Sequence, residues 1–429
     1  MTQLSISPGQ LVAAGACPTS DSAAHDIDRR PVSCEGMTGQ SIICFAKDWD
    51  EDPTSNNHIM QLLARGNRVL WLNSIATRKP NLRSARDLTK IFRKLASFFR
   101  GPKHISEGLW VYTPVVLPFP HSRIANRVNA WIMRIALAVI RWRLGISDFQ
   151  LWVFLPTAAP YVGTLGESLV VYYVTDEYSR FGHVDGDRVA KDDRSICRKA
   201  DVIFATAQSL VEKRLALNTE THLSRHGVAH ASFASALDDA TQVSADLAAL
   251  PKPVLGFHGA LQDWLDYDLI EYLASRHRDW SIALIGQPLV DLTRLRQLPN
   301  VHILGRKPHA QLPAYCKGMS VAMIPHKVNE LTVHMNPIKL REYLSAGLPV
   351  VSVELPEVEP YAGQCCIARD YEQFERGIEE ALRSDSPEKR LARSDAMRTE
   401  TWERRVAEIG SQVMRVQDNK HSSAAAKSR

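Results

Sequence analysis

Lys339 and Glu342 lie three apart in a short amphipathic stretch that begins at Asn336-Pro337 and stops at Gly347. A helix start leaves N–H groups unpaired, and these favour a bound anion, most simply a diphosphate. Lys339 would add charge there. Glu342, one turn further in, would accept hydrogen bonds from sugar hydroxyls. The plainer reading is a solvated ion pair, which is common and weak. Asp176 and Glu177 follow the apolar run Leu169 to Val174. A carboxylate at the C-terminal end of a parallel strand stands where α/β proteins put chemistry, and it can take a proton from a hydroxyl. Asp176, nearest the strand end, is the first candidate for that general base, and Glu177 the second. The alternative is a helix N-terminus decorated favourably with acids. Gly256 and Gly259 end the strand that starts at Pro253 and allow a ligand close to the backbone. His58, in the polar loop from Lys47, is a candidate for substrate contact, against a simply solvated side chain. Asp-x-Asp triplets occur, among them those beginning at Asp48, Asp185 and Asp266. Such short patterns arise by chance, none adjoins Lys339, and no metal is assigned.

These residues need particular elements behind them. Asn336 fits an N-cap and Pro337 the first helical position, where a missing N–H costs nothing. Gly347 fits the left-handed stop, Pro349 prevents continuation, and Val350-Val351 open a buried strand. Earlier, Ser41 to Phe45 is a strand, Ile59, Leu62 and Leu63 share one helix face, and Val69 to Leu72 is the next strand. Strand, loop, helix, strand is a βαβ unit with the loop at the ligand-facing edge. It carries no G-x-G-x-x-G fingerprint, which argues against a dinucleotide site there. Residues 229–250, rich in Ala, Ser and Asp, read as linker. Strands at Val254, Ser281, Val301 and Val321 then lead to the Lys339 helix, so that helix and the Gly259 loop share one sheet edge.

The chain has 429 residues, 45% of them hydrophobic, enough for two or three domains. Its seven cysteines show no metal-ligand spacing and read as reduced thiols of a cytoplasmic protein. Residues 1–36 lack periodicity and read as disordered, which makes Met37 a candidate start; residues 419–429 read as a frayed tail. No apolar run has the length of a membrane span. The net charge of +5 is uneven. Arg78 to Lys103 is strongly basic with Leu88, Ile91, Phe92, Leu95, Phe98 and Phe99 at helical spacing. Ser122 to Leu144 mixes arginines with Trp131, Ile135 and Trp142. Basic faces beside aromatic ones suit an anionic membrane surface, against ordinary helices packed on the sheet with a basic rim. No nucleic-acid module is present.

The segment Pro337, Lys339, Glu342-Tyr343-Leu344, Gly347, Pro349-Val350-Val351 resembles the donor-binding helix of the two-domain GT-B glycosyltransferases, especially bacterial group-1 enzymes of polysaccharide assembly. The resemblance covers about residues 40–415 and is strongest from Gly256 to Ser352. It implies an α/β fold with two Rossmann-like domains facing each other across a cleft. The boundaries expected are an acceptor domain at 37–235, a linker at 236–250, a donor domain at 251–400 and a returning helix at 401–418. It implies that Glu342 binds the nucleotide ribose and that Asn336, Pro337 and Lys339 lie near the diphosphate. Gly259 and Arg306 would join the donor site, and His58 the acceptor side. His334 stands where many retaining members carry a second glutamate, so stereochemistry stays open. The implied reaction moves a sugar from a nucleotide-diphosphate sugar, UDP expected, to a hydroxyl of a glycan or lipid-linked acceptor. No cofactor or metal is expected, and the place of work is the cytoplasm or the inner face of the plasma membrane. The alternatives are a sugar-nucleotide epimerase on this fold, or a non-catalytic sugar-nucleotide-binding partner of an assembly complex.

Overall fold

The computed structural model describes residues 37–74, 101–117, 122–182 and 184–427. The extension at 1–36 lies outside them, as do residues 78–100 of the basic stretch; Lys103 opens a strand instead of ending a helix.

The first half is an eight-stranded sheet. Its strands are β1 (Ser41–Phe45), β2 (Arg68–Leu72), β3 (Lys103–Ser106), β4 (Leu109–Tyr112), β5 (Gln150–Val153), β6 (Leu169–Val174), β7 (Val202–Ala205) and β8 (Thr221–Leu223), in the order β3-β4-β2-β1-β5-β6-β7-β8. Only β3 pairs antiparallel. Helices cover both faces, so the strands read as near-continuous apolar runs; every residue of β6 is buried. The helices that matter for the site are α1 (Ser55–Ala64), α2 (Arg123–Leu144), α3 (Gly186–Lys199) and α4 (Gln208–Leu215).

The second half is a six-stranded, fully parallel sheet. It comprises β9 (Val254–His258), β10 (Ser281–Ile285), β11 (Val301–Ile303), β12 (Val321–Ile324), β13 (Val350–Val353) and β14 (Cys366–Ala368), in the order β11-β10-β9-β12-β13-β14. The strand order reverses between β9 and β12. A doubly wound sheet opens its ligand crevice at that point, beyond the strands' C-terminal ends. Both the Gly259 loop and helix α5 (Ile338–Ser345) flank it.

The chain crosses between halves twice, and the crossings touch. Val228 N–H donates to Glu400 O at 2.9 Å, and Val228 pairs parallel with Thr401. Gly227 permits the contact, since a Cβ there would lie 2.6 Å from Trp402 N. Helix α6 (Trp402–Lys427) then buries Trp402, Val406, Ile409, Val413 and Val416 in the core of the first half.

Three boundaries differ from those the sequence suggests. Residues 236–250 are no free linker: Ala236 and Leu247 are buried in the second core, and Asp246 accepts from Lys307 Nζ at 2.6 Å and Tyr315 Oη at 2.9 Å. The tail expected from Asn419 continues as helix to Lys427, with Lys420 Nζ 2.8 Å from Asp201. Alanine-rich sequence favours that continuation. Helix α5 starts one residue late, with Pro337 as its N-cap; Asn336 spends its side chain elsewhere.

Candidate functional site

Between the two sheet edges lies a cavity of about 460 Å³. The first half contributes Thr54, Ser55, His58, Asp176, Tyr178 and His226, and the second contributes Gly259, Arg306, His309, His326, Lys339 and Glu342, among others. One cavity thus holds a carboxylate from one sheet and a lysine–glutamate pair from the other.

Lys339 and Gly259 are fitted to each other. Gly259 has φ +142°, and a Cβ there would lie 2.5 Å from Lys339 Cε. The lysine stem therefore passes directly over a bare backbone. Gly286 supports the arrangement from behind, since a Cβ on it would stand 1.7 Å from Gly259 O. No larger residue fits either place.

Glu342 is buried, and its Oε1 lies 3.3 Å from His309 Nε2. His258 Nε2 is 3.8 Å from Oε2. Burial alone would raise this carboxyl, but the His309 bond and the charge of Lys339 help pull it down to about 2. Burial lowers His258 to about 3, so at neutral pH it is an uncharged imidazole beside a carboxylate. Among the described residues its Nε2 has no hydrogen-bond partner, and neither has Nδ1 of the buried His326.

Asp176 follows β6 and stands half-buried in the cleft wall. Desolvation raises its pKa, while a Thr175 hydrogen bond and the charge of Lys339 oppose the shift. The carboxylate is thereby made more basic. Glu177 turns the other way. It accepts from Ser179 Oγ at 2.5 Å and Lys213 Nζ at 2.9 Å, and it does not line the cavity. Both residues lie past the end of β6, Asp176 in a bend and Glu177 leading into a short 3-10 turn, and the turning backbone sends the two carboxylates apart.

The other expected residues divide. His58 is no loop residue. It lies in the first turn of α1, 8% exposed, stacked on Trp402 at 5.0 Å, and still lines the cavity. Thr54 begins the helix early, its N–H bonded to Asn57 Oδ1 at 3.0 Å. Asn336 lines the cavity but works as a bracket, donating to Thr206 O at 2.7 Å and accepting from Arg341 at 2.7 Å. Arg306 reaches across the cleft mouth to Asp52 at 2.7 Å. His334 does not line the cavity; its Nδ1 meets Ser209 Oγ at 2.8 Å. The three named Asp-x-Asp triplets have their first carboxylates spent locally: Asp48 accepts from Ser74, while Asp185 and Asp266 cap helices. Four further histidines line the cavity, His226, His258, His309 and His326, and no spacing in the sequence marks them as site residues. His226 Nδ1 lies 2.7 Å from Ser55 Oγ. Only the glycines beside His226 and His258 gave a local signal.

Residues 252–384 match the family described as glycosyl transferases group 1. The chain carries a group 1 glycosyltransferase domain. That domain contains Gly259, Lys339 and Glu342. Over 221 residues the chain is 29% identical to a Bacillus subtilis (strain 168) protein named as a teichuronic acid biosynthesis glycosyltransferase; the match covers 48% of this chain. It spans about half the length of that relative, 55%. Among solved structures, sucrose-phosphate synthase from Thermosynechococcus elongatus aligns with TM-score 0.63 at 14% identity, over 88% of this chain and 99% of that one. A UDP-forming trehalose-phosphate synthase from Burkholderia xenovorans gives 0.59 at 12%, over 89% and 98%. Anabaena HepE, solved with UDP and glucose, gives 0.54 at 13%, over 90% and 99%. The group 1 domain and its partner sheet thus share the GT-B architecture.

Proposed function

We propose that the protein transfers a sugar from a nucleotide-diphosphate sugar, UDP-linked as first choice, to a hydroxyl of a glycan or lipid-linked glycan in cell-surface polysaccharide assembly. The observation that carries this reading is the single cavity in which Lys339 and Glu342 face Asp176 from opposite sheets. Glu342, ionised and acceptor-only, suits a ribose diol. Lys339 and the free N–H groups of α5 suit the diphosphate. In the reaction the bond from the anomeric carbon to the diphosphate oxygen breaks, and a bond to the acceptor oxygen forms. The acceptor proton passes to Asp176. The charge left on the diphosphate falls on Lys339 and α5, a role that needs no cation. Support for UDP comes from the nucleotide seen in the Anabaena protein, and support for polysaccharide assembly from the name of the Bacillus relative. Among the described residues no helix is long and apolar enough to cross a membrane. The reading places the enzyme in the cytoplasm, at the inner face of the plasma membrane, where the basic stretch from Arg78 would meet anionic lipid.

The test is calorimetry with UDP, GDP and ADP on wild type and Glu342→Ala. Tight UDP binding that the variant loses is the expected result, followed by turnover of a UDP-sugar that resists chelator. If the wild type binds no nucleotide, the reading fails.

A further inference from the structure

Helix α2 is apolar on two sides. Ala125, Met133, Leu137 and Ile140 are buried in the first half. On the opposite side Ile124, Val128, Trp131, Ile135, Val139 and Trp142 are exposed, Trp131 by 65% and Trp142 by 83%. At about 100° per residue these six fall within an arc of about 80°, one continuous stripe along the helix. They make up half of the large hydrophobic side chains exposed among the described residues, so the exposure is concentrated rather than scattered. Arg127 and Arg134 flank the stripe on one side and Arg143 on the other, all exposed. The helix contains no acidic residue.

From this we infer that the outer face of α2 docks on an anionic lipid surface. The chemistry on the page selects that occupant. A helix lying in a membrane interface buries one apolar stripe and keeps cations at headgroup level, with tryptophan at the boundary. Trp131 and Trp142, about 16 Å apart along the axis, would anchor the helix at two points. A second copy of the chain is disfavoured, since a two-fold contact through this stripe would bring Arg127, Arg134 and Arg143 against their own equivalents with no acid on either helix. The inference rests on the reading of a membrane-presented acceptor, but its test needs no turnover.

The full chain is sedimented with phosphatidylcholine vesicles containing about one third phosphatidylglycerol, and with pure phosphatidylcholine. Binding to the anionic vesicles that fades with salt is expected. Brominated lipid should quench part of the tryptophan emission, because Trp131 and Trp142 are the exposed pair among nine tryptophans. The Trp131→Ser/Trp142→Ser variant should lose that quenching. The Arg127→Glu/Arg134→Glu/Arg143→Glu variant, which alters only exposed side chains, should bind vesicles about tenfold less or weaker still. Both should keep wild-type UDP binding, which separates failure here from failure of the donor site. Unchanged vesicle binding in the arginine variant overturns the inference. So does a wild type that ignores vesicles, including one that forms a dimer which the tryptophan substitutions dissolve.

Discussion

Glu342 holds its charge in a place that water barely reaches, because His309 donates to it and Lys339 lies near. Glu342→Gln keeps the volume and one acceptor but loses the charge-assisted bonds. UDP affinity should fall by about 1.5–3 kcal/mol, read by calorimetry. Asp176→Asn belongs to a different step. It should leave UDP binding intact and cut kcat by about 10²–10⁴-fold, read in single-turnover assays. Activity should also fall on the acid side as Asp176 takes up a proton, at higher pH than for an ordinary aspartate, because burial raises its pKa. The histidines set the acid limit of stability. His226, His258 and His326 drop from 6.5 to about 3, burial being the largest cause in each. Their folded pKa lies below the unfolded one, so their contribution is full above about pH 6.5 and is lost as pH falls towards 3. Below neutrality the unfolded chain should bind about three more protons than the folded one. Urea melts at stepped pH should show stability declining from pH 6.5 downwards; a flat profile between 6.5 and 5 would contradict it.

At the scale of elements, Gly259→Ala is the sharpest probe of how the loop after β9 and the helix after β12 fit together. A methyl there meets Lys339 Cε at 2.5 Å, and φ +142° is strained for any L side chain. Lys339 must move, so UDP affinity should drop about tenfold or more while the far-UV spectrum stays unchanged. Much of this framework was legible in the chain. Pro337, Gly347 and Pro349 punctuate α5, and the apolar run of β6 delivers Asp176 to its edge. What escaped depends on partners distant in sequence. Asn336 looks like a cap, but Thr206 and Arg341 claim its side chain. His334 is drawn to Ser209, and Glu177 to Lys213, through contacts between separate elements that no local pattern encodes. His58 is misread for a local reason: Thr54 and Asn57 start α1 before the first apolar residue. The cavity histidines carry no spacing rule, since their meeting is a product of the fold.

For the whole molecule, Glu357 ties the halves together. It is 2% exposed and belongs to the second half, yet it accepts from Gln208 N at 2.7 Å and Arg225 Nε at 2.8 Å in the first. Asn336 adds a third donor at 3.1 Å. Glu357→Ala strands these donors and should cost about 3–5 kcal/mol in denaturant melts, a loss shared by both halves if they unfold as one. Exposed pairs span the cleft as well, Arg306 with Asp52 and Arg180 with Glu330, and these are cheap to open. The touching crossings at Val228 and Thr401 give such opening a shape. The two crossing segments meet in one isolated bridge, so the link between the halves is a pivot and not a broad strap. A turn about that pivot, once Glu357 releases its donors, would draw Asp176 and Lys339 apart, and the reverse turn would bring them back to one cavity.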